Sequence, residues 1–159
     1  MTAVAVQSTT HLSNLQQATQ RVAHIDLRMV CMKLADPVEG KGWDDATLQA
    51  VERDYRRFLI LNLLYPELPV VPNQPVDTMW HAHILDTHAY SADCDRVFGG
   101  YLHHFPYFGM RGADDAADLQ QAGQLTDELY SATFGIDSAM GAEALATCKR
   151  TSCKPQKCR

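Results

Sequence analysis

Apolar residues recur every three to four positions along most of this chain, which is the spacing of one face of an α-helix. The pattern predicts a helix over 11–36 that can contain a break, and further helices over 44–65, 76–98 and 113–134. The first eight residues show no periodicity, which is typical of an irregular lead-in. Because no alternating strand pattern and no internal repeat is found, we expect an all-α fold, a compact bundle of four to five helices.

The second helical segment becomes apolar on all sides after Phe58, as expected of a helix at the centre of the bundle. A proline-rich loop follows at 66–75, and its four prolines in ten residues exclude a helix and disfavour a central strand. Pro75 suits the first turn of the next helix, and Gly99 and Gly100 suit its end. The sequence therefore predicts one histidine-bearing helix directly after the proline-rich loop.

Five of the seven histidines lie between Trp80 and Pro106. On a regular helix with about 100° per residue, Asp77 and His81 lie one turn apart on the same face. A carboxylate and an imidazole in this arrangement can bind one metal ion, or the carboxylate can orient the imidazole. His83 lies about 200° from His81 and faces the apolar side, so a straight helix cannot bring both to one ion.

Two alternatives stay open for these residues. Asp77 can be a carboxylate that stabilises the start of the helix, and His83 can be a core histidine bonded to a backbone carbonyl or a tyrosine. His103 and His104 lie in an aromatic loop directly after the helix, where either can complete a site. We expect His88 and Asp95 to face solvent. Six further residues can line or support a pocket, or can be ordinary core and surface residues: Trp80, Asp86, Tyr90, Asp93, Cys94 and His103.

The stretch 56–104 resembles the core of the glycine-rich domain-containing protein family. The shared features are a proline-containing loop, an acidic residue three positions before a Trp-His-x-His motif, a later tyrosine, an Asp-Cys pair, a glycine and a closing histidine. In this chain they fall on Asp77, Trp80, His81, His83, Tyr90, Asp93, Cys94, Gly99 and His104. The glycine-rich tract of the larger plant members is absent. The resemblance implies a special site with His81, His83 and His104, and it names no reaction.

Charge separates the chain into a body and a tail. The net charge is −5, yet the last twelve residues carry five of the 14 basic residues and none of the 19 acidic ones. The acidic body is expected to repel nucleic acid. The most apolar window, 58–65, is too short to cross a bilayer, so we expect a soluble, cytoplasmic protein. A single helical domain is predicted over 1–147, followed by a flexible tail over 148–159.

Cysteine usage favours reduced thiols, because the count of five is odd and two of the cysteines lie in helical segments. The other three recur every five residues in the basic tail, a spacing unlike that of paired zinc ligands: Cys148, Cys153 and Cys158. These can be incidental thiols of a disordered tail. They can also form a tether for Cu(I) or Zn(II), since neighbouring positive charge lowers a thiol pKa, or a redox-sensitive segment.

The leading functional hypothesis is a metal-binding helical domain, which can be a small metalloenzyme. Its metal ligands are expected to be Asp77, His81 and His104, with His83 as a ligand or a support from the core. A divalent transition metal fits, with hydrolytic chemistry for zinc and oxidative chemistry for iron or copper. A small molecule or peptide substrate is expected beside the loop 101–108.

Two hypotheses of other classes compete with it. One is a non-catalytic protein-interaction module with a structural His/Asp hydrogen-bond network and a tail that recruits a partner. The other is metal-free acid–base catalysis by a His-Asp pair. The chain has no phosphate loop, dinucleotide fingerprint or GxSxG motif, which argues against nucleotide cofactors and ordinary serine hydrolases.

Overall fold

The histidine-bearing segment lies against a central helix in a computed structural model, which describes residues 3–135 and 154–157. The elements in chain order are α1 Ala3–Ala23, α2 Arg28–Ala35, α3 Asp45–Leu64, α4 Gln74–Leu85, α5 Thr87–Phe98, β1 Leu102–Phe105, α6 Ala113–Phe134 and β2 Lys154–Lys157. The all-α class is confirmed. The described residues form six helices rather than the four to five that the sequence predicted.

Two differences from the predicted helices explain the count. The first predicted helix has the break that was allowed, between α1 and α2, and α1 already begins at Ala3, so the irregular lead-in is wrong for residues 3–8. The single helix predicted over 76–98 is also wrong, because it is divided at Asp86. The Asp86 amide bonds the carbonyl of His83 at 3.1 Å, and its side chain accepts from the Ala89 amide at 3.3 Å. Asp86 therefore ends α4 and caps α5.

Helix α3 is the centre of the fold, as its apolar pattern predicted. Asp44 caps its first turn by accepting a hydrogen bond from the Thr47 amide at 2.8 Å. Nine of its 20 residues are buried, five of them in succession over 58–62, and it packs against α1, α2, α4 and α6. Tyr55 and Leu61 have no exposed surface at all. Helix α4 is thus held on a rigid support.

The proline-rich loop sets the start of α4. Val70 and Val71 are fully buried in this loop, and the Val71 amide donates to the Thr126 hydroxyl of α6 at 3.0 Å. Asn73 then caps α4 by accepting from the Val76 amide at 3.0 Å, and Pro75 lies in the first turn. The loop is ordered, and it fixes where the first turn of α4 lies.

A short antiparallel ribbon follows α5, which ends at Gly99 in the left-handed region with φ of 70°. Strand β1 pairs with β2 so that His104 lies opposite Pro155. Four residues of the segment predicted as a tail therefore form a strand, which the sequence pattern did not predict. The three tail thiols lie outside the described residues: Cys148, Cys153 and Cys158. Within the described residues, no helix is both long and apolar enough to cross a membrane.

Candidate metal centre

Asp77 and His81 begin the site on one face of α4. Asp77 lies in the first turn and is 8% exposed. One turn later, the His81 Nδ1 lies 3.3 Å from Asp77 Oδ2, and 47% of the His81 side chain is exposed. The predicted pairing of these residues is therefore confirmed, because the i, i+4 spacing stacks their side chains on the same face.

His104 reaches the same carboxylate from β1. Its Nε2 lies 3.3 Å from Asp77 Oδ1, and its side chain is only 10% exposed. The His104 ring contacts the edge or face of two aromatic neighbours, His81 at 4.3 Å and Trp80 at 4.6 Å between ring centroids. One ligand atom from each of Asp77, His81 and His104 can be chosen so that all lie within 4.8 Å of one another. Among the described residues, this is the one such His/Cys/Asp/Glu group.

The hydrogen bonds of His81 define its protonation. Its Nδ1 lies 2.8 Å from the Asp77 backbone carbonyl, which can only accept, so Nδ1 carries the hydrogen in this bond. The neutral ring then keeps a lone pair on Nε2, the form that a metal requires. The hydrogen bond to the Asp77 side chain raises the pKa of His81, and partial burial opposes the increase. Protons and metal ions therefore compete for this imidazole.

The donor set suits a transition metal. Imidazole nitrogens and a carboxylate oxygen are ligands of zinc, iron and copper, and three protein ligands leave coordination positions open for water or substrate. Two ligands of a tetrahedral zinc ion, at bond lengths of about 2.0–2.1 Å, are separated by roughly 3.3 Å. The separation between His104 Nε2 and Asp77 Oδ1 has this value. The same length is long for a hydrogen bond between charged groups.

A second set of bonds holds β1 against α4. The Trp80 indole N–H donates to the Tyr90 hydroxyl at 2.9 Å, and that hydroxyl donates to the Leu102 carbonyl at 2.5 Å. Burial raises the pKa of Tyr90, so its hydroxyl keeps the hydrogen that it donates. Trp80 precedes His81, and Leu102 lies two residues before His104. Tyr90 therefore fixes the distance between the two elements that carry the candidate ligands.

His83 lies on the opposite side of α4 and outside the group of ligand atoms. It is 1% exposed, its Nδ1 lies 2.9 Å from the Tyr55 hydroxyl, and its Nε2 lies 3.1 Å from Asp93 Oδ2. Because the carboxylate accepts from Nε2–H, Nδ1 accepts from Tyr55. Burial lowers the pKa of His83, which keeps it neutral. His83 is therefore a core histidine bonded to a tyrosine, which was the alternative interpretation of the sequence. Its partner is Tyr55, which the sequence analysis did not identify.

The remaining candidates are spread around the site. Cys94 is buried at 2% exposure beside Tyr90, and Asp93 is bonded to His83 and Arg96. His103 lies on β1 with its ring 4.7 Å from that of Tyr101. Asp86 caps α5 instead of supporting a ligand. The predicted solvent positions are confirmed for two residues, both exposed: His88 and Asp95.

A groove of about 670 Å³ opens beside the site, between α2, the turn 36–43 and α4, with His81 on its wall. The loop 101–108, where substrate access was predicted, does not line this groove. Neither the exposed apolar residues of α2 nor the pairing of β1 could be inferred from the histidine motif, because both depend on contacts between distant segments.

A family model described as UCP032817-like matches residues 20–125 of this chain. The match covers more than half of the chain and includes α2 to α5, β1 and all three residues of the candidate metal centre. No curated protein and no solved structure matches the sequence.

Proposed function

This chain belongs to the UCP032817-like family, and we propose that it binds one divalent transition metal ion through Asp77, His81 and His104. The observation that carries the proposal is the convergence of three ligand atoms from α4 and β1 on one side of Trp80. The buried carboxylate lies between two imidazoles, and its 3.3 Å separation from His104 Nε2 suits two metal ligands better than a strong hydrogen bond. Zinc, iron and copper all accept this set.

We further propose that the site is catalytic, because His81 is exposed on the wall of a groove. A bound metal would supply Lewis-acid chemistry if it is zinc, or oxidative chemistry if it is iron or copper. Asp77 holds both imidazoles in orientation, and Trp80 with the buried part of His104 excludes water from the inner side. A groove on the outer side would admit a small molecule or peptide to the open coordination positions.

A non-catalytic role is the second candidate. Asp77 is hydrogen-bonded directly to both His81 and His104, and such a network can link β1 to α4 as a purely structural element. In that case metal ions would not change stability or bind stoichiometrically. Metal binding therefore separates the two candidates.

The decisive experiment uses the full chain, purified without chelators and without a histidine tag. Elemental analysis followed by calorimetric titration with Zn²⁺ and Co²⁺ should give about one ion per chain, since three protein ligands converge on one point. Binding of Zn²⁺ should also raise the melting temperature, because the folded state alone brings the ligands together. Absence of saturable binding for both ions would favour the structural network.

Tyr90 offers a test of the geometry around the centre. Tyr90→Phe removes the hydroxyl that joins Trp80 to Leu102, and we expect Zn²⁺ affinity to fall about 10–100-fold, as is typical for groups that orient ligands. The variant should keep its helical circular dichroism, because the ring still fills the core. Tyr107→Phe is the matched control, since Tyr107 is 59% exposed. Equal Zn²⁺ affinity in both variants would show that Tyr90 does not position the site.

Further features of this proposal follow from the sequence. The resemblance to glycine-rich domain-containing proteins and a cytoplasmic location stay predictions; free thiols at Cys31 and Cys94 suit a reducing compartment. The acidic body still argues against nucleic-acid partners. The tail thiols remain candidates for binding Cu(I) or Zn(II): Cys148, Cys153 and Cys158.

A further inference from the structure

The groove beside His81 has the dimensions of a ligand site. Its volume of about 670 Å³ falls inside the range of about 300–1,000 Å³ that small-molecule pockets occupy. One wall is α4 and the other is α2 with the turn 36–43. His81 faces this groove and also belongs to the candidate metal centre. A molecule in the groove would therefore lie next to the metal.

The lining of the groove is largely apolar. Leu85 is 80% exposed and Met29 is 60% exposed, and both line it. Val30 and Leu34 are buried and add apolar surface beneath them. Exposed apolar side chains that share one concave surface mark binding grooves, and the flexible thioether of Met29 adapts to different shapes. The lining suits a hydrocarbon chain.

Charge in the groove points to an anionic group on that chain. Lys33 is paired with Glu39 at 3.0 Å, and the Asp86 carboxylate caps α5 through the Ala89 amide. Among residues 12–135, the ammonium of Lys41 forms no ion pair. The negative charge of Asp86 is stabilised at the start of α5, which Asp86 caps. Lys41 is therefore the cation of the lining that has no charged partner within 12–135, and a carboxylate would complement it.

We propose that this groove binds a small molecule composed of an apolar chain and one carboxylate. Met29 and Leu85 cover the chain, and Lys41 recognises the carboxylate. The inference deepens the proposed function and rests on it in one respect. Because His81 belongs both to the groove wall and to the candidate metal centre, such a molecule would be the substrate class of that centre. Binding in the groove itself does not require the metal, so the two can be tested separately.

The test uses decanoate as the probe and the metal-free full chain as the protein, measured by calorimetry. We expect one saturable site for decanoate. Decan-1-ol, which has the same chain without the charge, should bind about fivefold more weakly, which is the effect of about one exposed ion pair. Decylamine should bind more weakly still, because its charge repels Lys41. Absence of saturable decanoate binding, or equal binding of decan-1-ol, would overturn the proposal.

Matched variants test which side chains bind the carboxylate and which bind the apolar chain of the ligand. Lys41→Gln should weaken decanoate about fivefold and leave decan-1-ol unchanged, whereas Leu85→Asn should weaken both. The controls lie outside the groove: Leu68→Asn, at a leucine that is 41% exposed, and Arg53→Gln, at an arginine whose side chain is 58% exposed. If the controls weaken decanoate as much as the groove variants, the site lies elsewhere and the proposal fails.

Four further outcomes are distinguishable. A change of sedimentation mass in Leu85→Asn alone would mean that the groove is an interface between copies of this chain, which overturns the ligand proposal. If the chain binds Zn²⁺ but not decanoate, the groove proposal fails and the metal centre stands. If it binds decanoate but not Zn²⁺, the groove proposal stands and the metal centre fails. In the Co²⁺-loaded protein, decanoate should shift the visible spectrum, and an unchanged spectrum would remove the link between ligand and metal.

Discussion

Replacing His83 by alanine should lower the free energy of unfolding by about 3–5 kcal/mol, because it creates a buried cavity and removes two hydrogen bonds at once. His83 has 1% of its surface exposed and lies between the Tyr55 hydroxyl and the Asp93 carboxylate. After the substitution, both partners would be buried without the group they now bond. Urea denaturation followed by circular dichroism measures the loss.

The same experiment distinguishes a core histidine from a metal ligand. His88→Ala is the control on the neighbouring helix, and its stability should stay near that of the unchanged chain because His88 is exposed. Tyr55→Phe, which removes only one hydroxyl, should cost about 1–2 kcal/mol. A His83→Ala variant that keeps its stability and loses Zn²⁺ stoichiometry would make His83 a ligand, contrary to its position in the structure.

The sequence predicted those features that depend on local spacing. Helical periodicity located α3 and its burial, since an apolar stripe has few alternatives to facing a core. Asp77 and His81 were paired correctly for a similar reason: four residues of a helix advance by about one turn. The inward direction of His83 followed from the same geometry. In each case the geometry of a single helix determines the position of the side chains.

Features that depend on contacts between distant segments could not be predicted in this way. The break at Asp86 had a local signal, an aspartate that can cap a helix, but the apolar pattern continues across it and favoured a single helix. The pairing of His104 with Asp77 depends on the return of the chain through β1. Tyr90 joins Trp80, ten positions before it, to Leu102, twelve positions after it, and periodicity carries no information on such bonds.

Single substitutions of His81 or His104 by alanine should lower Zn²⁺ affinity by more than about 100-fold, a larger loss than removal of a supporting group causes. Each variant removes one of the three candidate ligands, and the two residues come from different elements, α4 and β1. Asp77→Asn should have a comparable effect with little change of shape, since a neutral amide replaces the anionic ligand between the imidazoles. Calorimetric titration with Zn²⁺ measures all three variants.

The exposed histidine His88 provides the matched control, because it lies seven residues from His81 and outside the group of ligand atoms. His88→Ala should keep both the affinity and the stoichiometry, while all variants keep the helical spectrum. Retained helicity matters most for His104→Ala, whose ring packs on Trp80 at 4.6 Å between centroids and so has a packing role as well. Undiminished Zn²⁺ binding in both the His81 and His104 variants would refute a site made by α4 and β1. A loss in only one of them would show that the other imidazole serves the hydrogen-bond network alone.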